Sequence, residues 1–150
     1  MVEVLRDFGK IARGLDSIAN IEFKEFELTR GQYMYLVRVC EHPGIIQEQL
    51  SELLLVDRAT VSRAVKKLVS NGLIEKRDAE KNKKIKHLFP TERGLSIYPQ
   101  IMAEHDYSNQ AALAGLSERE RTEFSELLKK VCQNIENEWE FVKKGNQRNY

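Results

Sequence analysis

Apolar side chains recur at steps of three and four through the first twenty residues, at Leu5, Phe8, Ile11, Ala12, Leu15, Ile18 and Ala19. That spacing gathers them on one face of a helix, and the face needs a partner. After an acidic aromatic stretch from Glu22 to Glu27, Thr29 and Gln32 have the spacing of a capping box and predict a second helix. This helix turns Tyr33, Leu36, Val37 and Cys40 inward and stops at His42-Pro43-Gly44, where proline and glycine disfavour continuation. A short third helix, 47–54, is expected to bury Leu50, Leu53 and Leu54. Asp57 can cap a fourth that runs to Asn71, with Gly72 at the left-handed C-terminal position and Leu73 closing back on it.

The period then changes. Segments 73–77 and 85–89 read as short strands separated by DAEKNKK, a polar run with strong turn character, so a hairpin with a charged tip is predicted. Thr91 opens a fifth helix, in which Pro99 should cause a kink or a break, and Gly115 ends it. Ser117 with Glu120 is another capping box, heading a helix whose stripe is Phe124, Leu127, Leu128, Val131, Ile135, Trp139 and Val142. The predicted fold is therefore mainly α with a small β-hairpin wing, a winged helix-turn-helix centred on 46–86. The N- and C-terminal helices, 1–28 and 115–150, whose stripes lack a partner, are expected to form a dimerisation region around a lobe with its connecting helix, 29–114.

Charge sharpens this picture. The net charge of +1 conceals a partition: residues 1–55 sum to −3, residues 56–86 to +6 and residues 87–150 to −2. One central block carries all the excess positive charge, the electrostatic footprint expected for phosphates. At 150 residues the chain fits one domain, or a small domain with helical extensions. No segment has the apolar length to span a bilayer, and MVEVLRDFGKIARGLD does not read as a secretory signal, so a cytoplasmic location is expected.

Within the basic block, Val61, Ala64, Val65 and Leu68 form the inward stripe of the fourth helix. Thr60, Ser62, Arg63, Lys66, Lys67 and Ser70 share its outer surface, which offers hydroxyls and a guanidinium for base edges and ammonium groups for phosphates. A charged outer face on a lone helix is ordinarily just solvated. Here a short helix and tight turn precede it, and a hairpin follows that brings six cations within eleven residues: Lys76, Arg77, Lys81, Lys83, Lys84 and Lys86. Lysine, a point charge on a flexible stem, suits phosphate contact better than base readout.

The chain resembles the MarR/SlyA family of winged-helix regulators. LTRGQYMYLVRV, IIQEQLSELLLVDRATVSRAVKKLVSNGLIEKR and NKKIKHLFPTERG carry the resemblance, which covers nearly the whole chain. It implies a homodimeric transcriptional regulator of double-stranded DNA, a repressor by expectation, reading a pseudo-palindromic operator. It also places Arg58, Thr60, Ser62, Arg63, Lys66 and Lys67 in the major groove, Lys81, Lys83, Lys84 and Lys86 on a wing, and Gln47 and Gln49 against the backbone. Two positions depart from the family pattern. Asn82-Lys83-Lys84 stands where the family has aspartate-arginine-arginine, and Pro90-Thr91 where it has leucine-threonine. Asn82 cannot make the family's ion pair, so Lys84 is expected to keep a weaker, less specific contact.

Relatives also suggest a small aromatic or phenolic effector. Phe8, Phe23, Phe26, Tyr33 and Met34 are the candidates to line its pocket, against the plainer reading that they are core. No cofactor or metal is expected: His42, His87 and His105 are dispersed, and Cys40 and Cys132 lie 92 positions apart, which favours buried, reduced thiols. No phosphate-cradling glycine loop or nucleophile elbow is present, so an enzyme is not expected. The alternative of a winged helix serving as a protein-interaction module or anti-regulator stays open, with the basic block weighing against it.

Overall fold

The computed structural model describes residues 1–150 as six helices and one hairpin. Helix α1 (Leu5–Glu22) is followed by a single 3-10 turn (Lys24–Phe26), then α2 (Gln32–Glu41), α3 (Gln47–Leu54) and α4 (Arg58–Ser70). Strands β1 (Ile74–Asp78) and β2 (Lys86–Pro90) precede α5 (Glu92–Ala112) and α6 (Glu118–Lys143). The chain forms two compact units, Met1–Ser108 and Asn109–Tyr150. No helix is long and apolar enough to cross a membrane.

The first unit is built on a core of Leu36, Val39, Leu50, Val61, Val65, Leu68, Leu73, Ile74 and Leu88. All four residues of the α4 stripe are buried, as a period near 3.6 requires. Asp57 caps α4 by accepting the Thr60 N–H at 3.0 Å. At the far end Gly72 takes φ 72°, its N–H donates to Val69 O, and the Leu73 N–H donates to Leu68 O. The two strands pair antiparallel, from Ile74 opposite Pro90 to Asp78 opposite Lys86, and a bridge from Ile45 to Leu88 ties the loop before α3 to the sheet. His87 Nδ1 donates to Gly44 O at 2.7 Å across the same seam.

Several expectations are corrected. Helix α2 does not start from a Thr29 capping box: Gly31 occupies the N-cap in the left-handed region, with Arg30 before it at φ 56°, and no side chain caps the helix. The most buried face of α2 is Tyr35, Leu36 and Val39, with Tyr33, Val37 and Cys40 packed at the core's edge. On α3, Leu53 is exposed and Ser51 is buried instead. The Ser51 hydroxyl donates to Val56 O and its carbonyl accepts the Val56 N–H, closing the turn into α4 while Leu55 adopts φ 52°. The strands begin at Ile74 and Lys86, one residue later than expected. Pro99 does not divide α5, which ends at Ala112, three residues before Gly115.

Burial also differs between the two cysteines. Cys40 is half-buried, and burial, with Glu41 adding to it, pushes its thiol up to about 11. At neutral pH it is protonated and unreactive. Cys132 is exposed in the single chain rather than buried.

Candidate nucleic-acid interface

Helix α4 is 13 residues long, about 20 Å at the usual rise per residue, and presents Arg63, Lys66 and Lys67 to solvent. Apart from Arg63, the cations of the basic block fall into two groups. Arg58 pairs with Glu48 of α3 at 2.7 Å, Lys86 pairs with Asp78 across the hairpin, and Arg77 donates to Glu75 at 3.0 Å while lying 4.2 Å over the Phe89 ring. Lys66, Lys67, Lys76, Lys81, Lys83 and Lys84 are exposed, and none takes part in any ion pair of the chain. An exposed unpaired ammonium carries only its counterions and water, and those are what a phosphate displaces.

The α3–α4 corner is organised by side chains. Asp57 Oδ1 accepts the Thr60 hydroxyl at 2.6 Å, and Thr60 Oγ1 accepts Arg63 Nη2 at 3.1 Å. The Asp57 carboxyl is held below the usual carboxylate range, first by the Thr60 hydroxyl and then by the Thr60 N–H. Ser62 is half-buried. Gln49 Oε1 accepts the Ile46 N–H at 3.1 Å and so caps α3, leaving its amide nitrogen as a free donor. Gln47 shares a cleft of about 220 Å³ with Lys84, Ile85 and Lys86, between the start of α3 and the wing.

At the wing tip Asn82 has a role that the sequence pattern does not assign to it. Its Oδ1 accepts the Lys84 N–H at 3.0 Å and its carbonyl accepts the Ile85 N–H at 3.2 Å. Asparagine side chains hold turns in this way, two residues ahead of themselves. The residue that cannot form an ion pair thus still fixes the backbone that carries Lys83 and Lys84.

The five effector-pocket candidates do not stay together. A cavity of about 290 Å³ lies among α1, α2 and α5, lined by Tyr33, Met34, Val37, Arg38, Met102 and His105 among others. Phe8, Phe23 and Phe26 are absent from its wall. Phe23 is core, with Phe26 stacked on it at 6.5 Å and Tyr33 tilted at 5.7 Å. The Tyr33 hydroxyl donates to Asp16 Oδ1 at 3.1 Å, and burial followed by that bond raises it to about 12. Arg38 and Glu41, both on the cavity wall, pair at 2.9 Å. No group of three His, Cys, Asp or Glu side chains is placed to hold a metal ion.

The model of the MarR family matches residues 28–86, the lobe built on this corner and wing. Over the full length of both chains the sequence is 55% identical to the uncharacterised HTH-type transcriptional regulator YybA of Bacillus subtilis (strain 168). Two solved structures from Listeria monocytogenes are similar over all of both chains at 55% identity. One is an uncharacterised SlyA-like transcription regulator, with a TM-score of 0.98. The other is a MarR family transcriptional regulator complexed with 26mer DNA, with a TM-score of 0.95.

Proposed function

This chain belongs to the MarR family of transcriptional regulators, and we propose that it is a sequence-specific repressor that binds a pseudo-palindromic operator in duplex DNA as a homodimer. The observation that carries the reading is the division of its cations. Lys66 and Lys67 stand free, and Arg63 is exposed with Thr60 as its one partner, on the outer face of a capped helix of groove-fitting size, beside a wing whose Lys81, Lys83 and Lys84 are unpaired. Ser62, Arg63, Lys66 and Lys67 face the major groove, with Arg58 and Thr60 ordering its edge. The wing lysines, with Lys86, Gln47 and Gln49, follow the phosphates. The DNA complex of the Listeria monocytogenes relative supports duplex DNA as the partner.

The dimer rests on the exposed apolar stripes. Ile11, Leu15 and Ile18 of α1 and Phe124, Leu127, Val131 and Ile135 of α6 are exposed in the single chain, and α6 buries no residue at all. A helix of 26 residues with an unburied apolar stripe takes its stability from a second surface. In this reading residues 1–28 and 115–150 form the dimerisation region and 29–114 the DNA-binding lobe. The cavity beside Tyr33 is the place for a small aromatic effector that releases DNA, with Met34, Val37 and Met102 for its ring and Arg38 for its polar end.

Selection of bound duplexes from a random pool at moderate salt tests the reading. It should yield an inverted repeat with half-site centres about one helical turn, roughly 34 Å, apart. A pool that stays random after repeated rounds would reject sequence-specific binding and favour a protein-interaction module.

A further inference from the structure

Thr60 has an outer-face position and a hydroxyl, which makes it look like a reader of DNA. Its hydrogen bonds leave the hydroxyl no proton to give to DNA. The hydroxyl proton is committed to Asp57 Oδ1 at 2.6 Å, and Oγ1 accepts Arg63 Nη2 at 3.1 Å. One lone pair remains, and neither a phosphate oxygen nor the acceptor edge of guanine can bond to a lone pair. The Asp57 carboxylate cannot drift away from this arrangement, because its second oxygen is held by the Thr60 N–H as the cap of α4.

We propose that Thr60 is a positioning residue, whose hydroxyl, anchored by Asp57, holds the Arg63 guanidinium in the orientation in which it reads a base edge. A free arginine samples many rotamers, and fixing one on binding has an entropic cost. Here the fixing precedes the DNA. The contact with Thr60 uses one of the five guanidinium donors and leaves the others for a bidentate contact with guanine O6 and N7.

The inference rests on α4 being the recognition helix, and the test separates the two. The probes are the consensus duplex selected by the wild-type chain and the same duplex with its half-sites scrambled. Discrimination is measured for the wild type, Thr60→Val, Thr60→Ser, Arg63→Ala and the double variant Thr60→Val/Arg63→Ala. Thr60→Val should lower discrimination about fivefold in the wild-type background and leave it unchanged in the Arg63→Ala background, the signature of coupled residues. Thr60→Ser, which keeps the hydroxyl, should restore it. If Thr60→Val unfolds the helix, Thr60→Ala replaces it in the cycle, since alanine favours helix. Equal losses in both backgrounds would show that Thr60 reads DNA itself, and no loss in either would show that the relay is idle. Both outcomes overturn the proposal. Failure of the wild type to select any consensus would instead remove the recognition-helix reading beneath it.

Discussion

Gly94→Ala should lower the melting temperature of the protein by roughly 6–12 °C, the consequence of about 3 kcal/mol lost from a chain of this length. A Cβ built on Gly94 would lie 2.2 Å from Leu73 O, 3.2 Å from the Leu73 carbonyl carbon and 3.3 Å from Leu36 Cδ1. Neither neighbour can yield cheaply. Leu36 and Leu73 are fully buried, and Leu73 O already accepts the Thr91 N–H at 3.1 Å. The same joint ties the end of α4 to the start of α5, through the Thr91 hydroxyl donating to Gly72 O at 2.6 Å and Arg93 donating to Asn71 O. Moving α5 to admit a methyl group would therefore tilt α4 as well, and DNA affinity should fall together with stability. Gly72→Asn is the contrasting change. Its site has open space, so the cost is only that of a side chain at φ 72°, which asparagine tolerates better than most residues, and its melt should fall far less than that of Gly94→Ala. Thermal unfolding at fixed protein concentration decides; a Gly94→Ala melt within a degree or two of wild type would contradict the close approach.

Ending the chain after Gly115 should leave a monomer that binds operator about a hundredfold or more weakly, because the second half-site is no longer tethered to the first. The truncation removes Phe124, Leu127, Val131, Ile135, Phe141 and Val142, whose exposures run from 36% to 59% in the single chain. An exposed apolar stripe on this scale marks an interaction surface, and the proposed dimer would bury it. Sedimentation velocity measures the change of mass directly, and a dimer that survives the truncation would refute the assignment of α6 to the interface.

Much of this architecture is legible in the sequence because it follows from periodicity and caps. The α4 stripe of Val61, Ala64, Val65 and Leu68, the Asp57 cap and the Gly72 exit are all where the pattern puts them. The misses have physical reasons. The Thr29 box has the right spacing but competes with a left-handed Arg30-Gly31 pair that brings the chain into α2 two residues later. On α3, eight residues are too few to fix a face, and the turn into α4 turns Ser51 inward because its hydroxyl is needed there. Aromatic residues at helical spacing cannot declare whether they line a cavity or fill a core; Tyr33 does the first and Phe23 the second. Asn82 is conspicuous in the sequence for the ion pair it cannot form, whereas its role in the turn depends on a backbone amide two residues away. Which cations are free cannot be read from composition either, since the partners of Arg58 and Lys86 lie ten and eight positions distant.

In the proposed division of labour, α4 reads bases and the wing lysines grip the backbone. A salt titration of affinity, on the selected duplex and on its scrambled counterpart, tests it most directly when run on Arg63→Ala and Lys84→Ala beside the wild type. Arg63→Ala should cut discrimination between the two duplexes by about tenfold, within the range of a lost bidentate base contact. Lys84→Ala should leave discrimination intact and flatten the log–log salt slope by about one unit on both duplexes. Equal loss of affinity on both duplexes for Arg63→Ala, with an unchanged slope for Lys84→Ala, would rule out this division between helix and wing.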